Sequence, residues 1–139
     1  MKPGPVFLTM NDVLSIHERI IREFGGSPEI KNFGLLESAV MMPAAQFGAK
    51  FLHRDIAARA GAYLFHICQN HAFVDGNKRS ALAASELFLI LNRRELKASN
   101  DQLVQLTLGV AAGKISKPGA IGFFRRHIRK MNRQRGIAK

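Results

Sequence analysis

The stretch His71–Ser80 reads "HAFVDGNKRS" and brings a histidine, a carboxylate, a glycine, an amide and two cations together. Such groups are costly to bury without partners, so their concentration points to an anionic ligand. Helical patterns on both sides make His71 to Gly76 a tight connection and Asn77 the start of a helix. The first turn of a helix offers unpaired N–H groups and about half a unit of positive charge, and together these hold an anion. Gly76 allows the backbone to approach closely and to take an unusual φ. Lys78 and Arg79 carry the wrong sign for the dipole at that end, which a polyanion such as phosphate would compensate. A lone carboxylate beside phosphates, here Asp75, suits Mg2+. Histidine, at position 71, is the side chain suited to taking a proton near neutrality. Phe73, apolar in a polar loop, reads as the anchor that plugs the loop into the core. The chemistry this assembly suits is phosphoryl or nucleotidyl transfer. His71 would deprotonate an incoming hydroxyl while helix end, cations and metal stabilise the charge.

Plainer readings exist for each residue. His71 could cap a helix, Asp75 could be a simple N-terminal helix carboxylate, and Lys78 and Arg79 could face solvent. Two other site types do not fit. A Walker A loop needs a Lys-Ser or Lys-Thr pair after the glycine and a second glycine upstream, and Gly76 is followed by Asn77. A zinc site needs more than His66 and His71, which lie five residues apart in a chain with a single cysteine. His66 reads as a packed core histidine, and His17, His53 and His127 receive no assignment.

The elements that must hold the cluster are helical. Thr9 and Asp12 have capping-box spacing before Val13, Ile16, Ile20 and Phe24, and Gly25-Gly26 stop that helix. A second short helix lies in "GLLESAVMMP", ended by Pro43. "AAQFGAKFLHR" lacks a helical period and fits a loop or a short hairpin. Asp55 opens "DIAARAGAYLFHICQN", the helix before the cluster, and "NKRSALAASELFLILN" follows it with a stop at Asn92. Ser99 and Gln102 form a second capping box before a helix ending at Gly113. Ser116, with Pro118 in the first turn, caps a last helix through "SKPGAIGFFRRHIRK". The expected fold class is all-α, a compact bundle of about six helices with room for one small hairpin.

The 139 residues suit a single domain, 1–139, with a core over about 6–130 and a basic tail at 131–139. No apolar run reaches the roughly 20 residues of a membrane span. The first residues lack the apolar stretch and cleavage site of a secretory signal. Cys68, the only cysteine, excludes an internal disulfide. A cytoplasmic location is the expectation. The net charge of +11 is uneven, because all ten acidic residues lie at or before Asp101 and nine Lys/Arg follow it. That excess supports an alternative of another class, a non-enzymatic nucleic-acid or ribosome-binding module using the C-terminal segment. No aromatic interleaves the last dozen residues to stack on bases, so nucleic acid is the secondary partner.

At "HAFVDGNKR" the chain resembles the Fic/Doc superfamily and specifically its Doc (death-on-curing) branch. The wider Fic motif reads HxFx(D/E)GNGRxxR, and Doc-type proteins carry Lys where Fic proteins have the second Gly, as Lys78 does here. The resemblance extends through "FLTMNDVLSIHERIIREFGGSPEIKNFGLLESA", "ALAASELFLILN" and "LVQLTLGVAAGKIS", roughly residues 6–130. It implies that His71 is the catalytic base, Asp75 the Mg2+ ligand and Gly76 with Asn77 the anion-hole pair. Lys78 and Arg79 would contact phosphate, and Phe73 would anchor the loop. Gln46, Phe47, Gly48, Ala49, Lys50 and Phe51 occupy the place of the flap, which aligns a target segment by strand addition.

Two departures bear on the reaction. Leu82 stands where the second Fic arginine would fall, and Lys78 puts a bulky cation where Fic enzymes accept nucleotide phosphates closely. The Doc branch binds ATP in the reversed sense and transfers the γ-phosphoryl group to a translation elongation factor, halting protein synthesis. The resemblance therefore implies an ATP- and Mg2+-dependent protein kinase, acting as the toxin of a toxin–antitoxin module. Gly76, absent from some Doc members, keeps AMP transfer to a protein hydroxyl open as the alternative. No self-inhibitory [S/T]xxxE helix is found, so restraint would come from a separate Phd-like antitoxin through its C-terminal segment.

Overall fold

The computed structural model of the chain describes residues 4–131. Within them α1 spans Met10–Phe24 and α2 Phe33–Met41, and a 3-10 turn at Met42–Ala44 carries Pro43. Strands β1 (Gln46–Phe47) and β2 (Lys50–Phe51) follow, then α3 (Ile56–Asn70) and α4 (Asn77–Leu91). Strand β3 (Arg94–Leu96), α5 (Asn100–Ala111), α6 (Lys117–His127) and strand β4 (Ile128–Lys130) complete the order. Six helices with two small ribbons make the expected mostly-α bundle. The C-terminal tail falls outside the described residues from 132 onward.

Helix α3 is the axle. Ten of its residues, from Ala57 to Cys68, are buried, and α4 and α6 pack along it. Small residues make this approach feasible. A Cβ on Gly61 would sit 2.6 Å from Ile121 Cγ1 and 2.9 Å from its Cα, so only glycine lets α6 lie this close. Asp55 fixes the start of α3 twice over: its Oδ1 accepts the Ala58 N–H at 2.8 Å, and Arg125 of α6 donates to both carboxylate oxygens. The capping boxes at Thr9/Asp12 and Ser99/Gln102 form as the spacing predicts.

Two local expectations change, and one open alternative is decided. The last helix stops at His127 rather than continuing through Lys130. Residues Ile128–Lys130 instead pair antiparallel with Arg94–Leu96, which brings Ile128 opposite Leu96 against the core. Such long-range pairing replaces helical hydrogen bonds and leaves no local signal. The segment "AAQFGAKFLHR", for which both a loop and a hairpin were open, forms the β1–β2 hairpin, with Gln46 opposite Phe51 and Phe47 opposite Lys50. Phe24, expected on the core face of α1, is 52% exposed, and the Arg79 guanidinium covers its ring at 4.1 Å.

Among the described residues no helix is long and apolar enough to cross a membrane. Cys68 is free and buried, and burial pushes its thiol up to about 11. Two histidines, His53 buried and His66 half-buried, each hide a ring nitrogen without a partner: His53 Nδ1 and His66 Nε2 find no hydrogen bond among the described residues. Burial, reinforced by the nearby Lys117 charge, lowers both imidazoles, His66 to about 4. A depressed folded pKa makes the unfolded chain the better proton binder in acid. Stability is therefore present above about 6.5 and is lost as pH falls toward 4. The urea midpoint is expected to fall across that window, and the slope should be shallower in His66→Gln. An unchanged slope in that variant would remove His66 as a cause.

Candidate active site

The cluster occupies the turn between α3 and α4. His71 is the C-terminal cap of α3 in the left-handed region, φ 47° and ψ 47°, an uncommon conformation for a residue with a side chain. It is exposed and makes no hydrogen bond through its ring among the described residues. Ala72 and Phe73 turn inward, with Phe73 only 1% exposed. Asn77 then staples the turn. Its Oδ1 accepts the Phe73 N–H at 3.0 Å and its Nδ2 donates to the Phe73 carbonyl at 2.9 Å. This side chain is thus committed to the loop, and what Asn77 can offer a ligand is its backbone N–H.

A second segment, between α1 and α2, braces the turn. Lys31 and Asn32 N–H groups donate to the Ala72 carbonyl at 2.7 and 3.0 Å, and Val74 N–H donates to Glu29. The Ser27 N–H donates to Asp75 Oδ2 at 2.7 Å. That bond aims the carboxylate while leaving Oδ1 without a hydrogen bond among the described residues. From α1, His17 Nε2 bonds the Asp75 carbonyl at 2.8 Å. Its ring stacks on Phe73 at 3.6 Å between centroids and 5° between planes.

Gly76 begins α4 with φ +83°, in the left-handed region that glycine alone enters at no steric cost. The other five α-helices start on a capping side chain, from Thr9, Asn32, Asp55, Ser99 and Ser116. Gly76 has none to give. The first backbone bond after it is from Ser80 N–H to the Gly76 carbonyl, so the amides of Asn77, Lys78 and Arg79 are open. They border a cleft of about 570 Å³ whose polar side includes His71, Asp75, Lys78 and Arg79 and whose apolar side includes Leu82 and Leu108. That volume is in the range of small-molecule sites.

The cleft brings together His71, Asp75, Gly76, Asn77, Lys78 and Arg79, with Phe73 buried beneath them. Gln46, Phe47, Gly48, Ala49, Lys50 and Phe51 do not line it; they form the separate hairpin, with Phe47 86% exposed. The base of that hairpin is held by Arg59, whose guanidinium lies 4.8 Å from the Phe51 ring and whose Nε donates to the His53 carbonyl. Sequence reasoning missed His17 and Ser27. His17 lies four residues after Val13 on the buried face of α1, a spacing that could have flagged it; Ser27 acts through its backbone and left no signal.

Residues 7–89 match the Fic/DOC family. The chain is 40% identical over 78 residues to a protein named Toxin Doc from Mycolicibacterium smegmatis, an alignment covering 56% of this chain and 60% of that relative's length. It is 29% identical over 119 residues to Protein kinase doc of Escherichia phage P1, covering 86% of this chain and 93% of the phage protein.

Proposed function

The chain belongs to the Fic/DOC family, and from that premise we propose that it is a Doc-type toxin that phosphorylates a protein hydroxyl from ATP. The observation that carries this reading is the uncapped start of α4 opening on the cleft beside His71. The open amides of Asn77, Lys78 and Arg79 and the cationic side chains of Lys78 and Arg79 receive the phosphates. His71 takes the proton of the target hydroxyl as that oxygen bonds to the γ-phosphorus. The bond from the γ-phosphorus to the bridging oxygen breaks, and ADP leaves with the electron pair. Asp75 fits a magnesium ion: one oxygen is held by Ser27 and the other is open, and one or two carboxylates with substrate phosphates are what Mg2+ takes. When bound, the ion neutralises phosphate charge.

Lys78 in place of glycine and apolar Leu82 in place of the second arginine favour γ-phosphoryl over AMP transfer. The relatives' names, a toxin and a protein kinase, agree with this assignment. A translation elongation factor is the proposed target, the hairpin at Gln46–Phe51 its docking edge, and a Phd-like antitoxin segment the restraint.

Purified protein freed of any bound inhibitor is incubated with a translation lysate and ATP labelled at either the α or the γ position. Label is expected on a protein from γ only. Label from α would convert the assignment to AMP transfer, and label from neither at millimolar Mg-ATP would overturn both.

A further inference from the structure

His17 is polar, 3% exposed and unused by the mechanism above. An aliphatic residue could fill its place on α1 without the cost of burying an imidazole. What the imidazole adds is contact with two residues of the turn and a close approach to a third. It stacks flat on Phe73, bonds the carbonyl of Asp75, and places Cδ2 3.4 Å from where a Cβ on Gly76 would be. A carbonyl can only accept, so Nε2 carries the proton and donates.

The Asp75 carbonyl and the Gly76 N–H belong to one planar trans peptide and point in opposite directions. Holding the carbonyl toward α1 therefore turns the Gly76 N–H away from α1, and Gly76 borders the cleft. The same bond fixes the backbone from which the Asp75 carboxylate projects. We infer that His17 is a positioning residue that presets the Asp75–Gly76 peptide, adding the Gly76 amide to the anion-binding set and aiming Asp75. This rests on the function proposed above and names a residue outside the motif on which its geometry depends.

Two substitutions separate the two contacts. His17→Phe keeps a flat ring against Phe73 and cannot donate; His17→Gln keeps an N–H donor and gives up the stack. His17→Phe is expected to lower kcat by about 10–100-fold, the usual range for a supporting hydrogen bond behind a catalytic ligand, with KM for the target protein within about threefold. His17→Gln should recover most of that loss. A filler role alone predicts the opposite order, with His17→Phe the milder change. Wild-type kcat in His17→Phe, or folded His17→Gln no better than His17→Phe, overturns the inference. The tautomer of His17 in the unsubstituted protein, read by nitrogen-15 NMR, decides the case if the variants do not fold. Nε2–H with a slowly exchanging proton is expected, and Nδ1–H overturns it. Inert wild-type protein with the Nε2–H tautomer would count against the proposed function and leave the hydrogen bond standing.

Discussion

His71→Ala is expected to lower phosphoryl transfer by about 10²–10⁴-fold, the usual contribution of a general base, and to abolish toxicity. The fold should be untouched, because the His71 ring is exposed and makes no hydrogen bond among the described residues. The backbone argues in the same direction. A residue with a side chain at φ 47° is held in a conformation that costs about 1–2 kcal/mol relative to the right-handed region, and strain of this kind gathers at functional sites. His71→Gly relieves it and should therefore melt no lower than the parent protein while being equally inactive. Loss of activity in both, with melting temperatures at or above the parent's, separates catalysis from folding. Full transfer by His71→Ala would show that another group accepts the proton.

The largest expected effect on stability is at Phe73. Its side chain is 1% exposed, lies against His17, and belongs to the residue paired in an isolated bridge with Ile30. Truncation to alanine removes the ring and leaves a cavity, a change that costs about 3–5 kcal/mol in well-packed cores. Against a total of about 5–15 kcal/mol for a domain, that is a large share. Urea unfolding followed by far-UV circular dichroism should show the midpoint falling at nearly constant slope. A loss under about 1 kcal/mol would mean that the turn collapses onto the gap and that Phe73 is not its anchor.

Much of this architecture was legible because helix starts are written locally. Thr9, Asp55, Ser99 and Ser116 each accept the backbone N–H three residues on, and their side-chain types announce it. The motif was legible because its unusual residues are consecutive. What escaped depends on distant partners. Ile128–Lys130 leaves the helix only because Arg94–Leu96 is there to pair with it. Phe24 stays at the surface because Arg79, 55 positions away, covers it. Ser27 reaches Asp75 by a backbone N–H that its side chain does not advertise. His17 could be seen as polar on an apolar face, but its partner could not.

The bare start of α4 has a further consequence for how occupancy and order are coupled. A docked anion would do for Asn77, Lys78 and Arg79 what Thr9 or Ser99 does for its own helix, so the guest becomes the final piece of secondary structure. Without it, the first turn of α4 is expected to breathe, exchanging its amide protons faster than any other helix start in the molecule. An anion on entering would tighten this turn, so added phosphate is expected to slow that exchange.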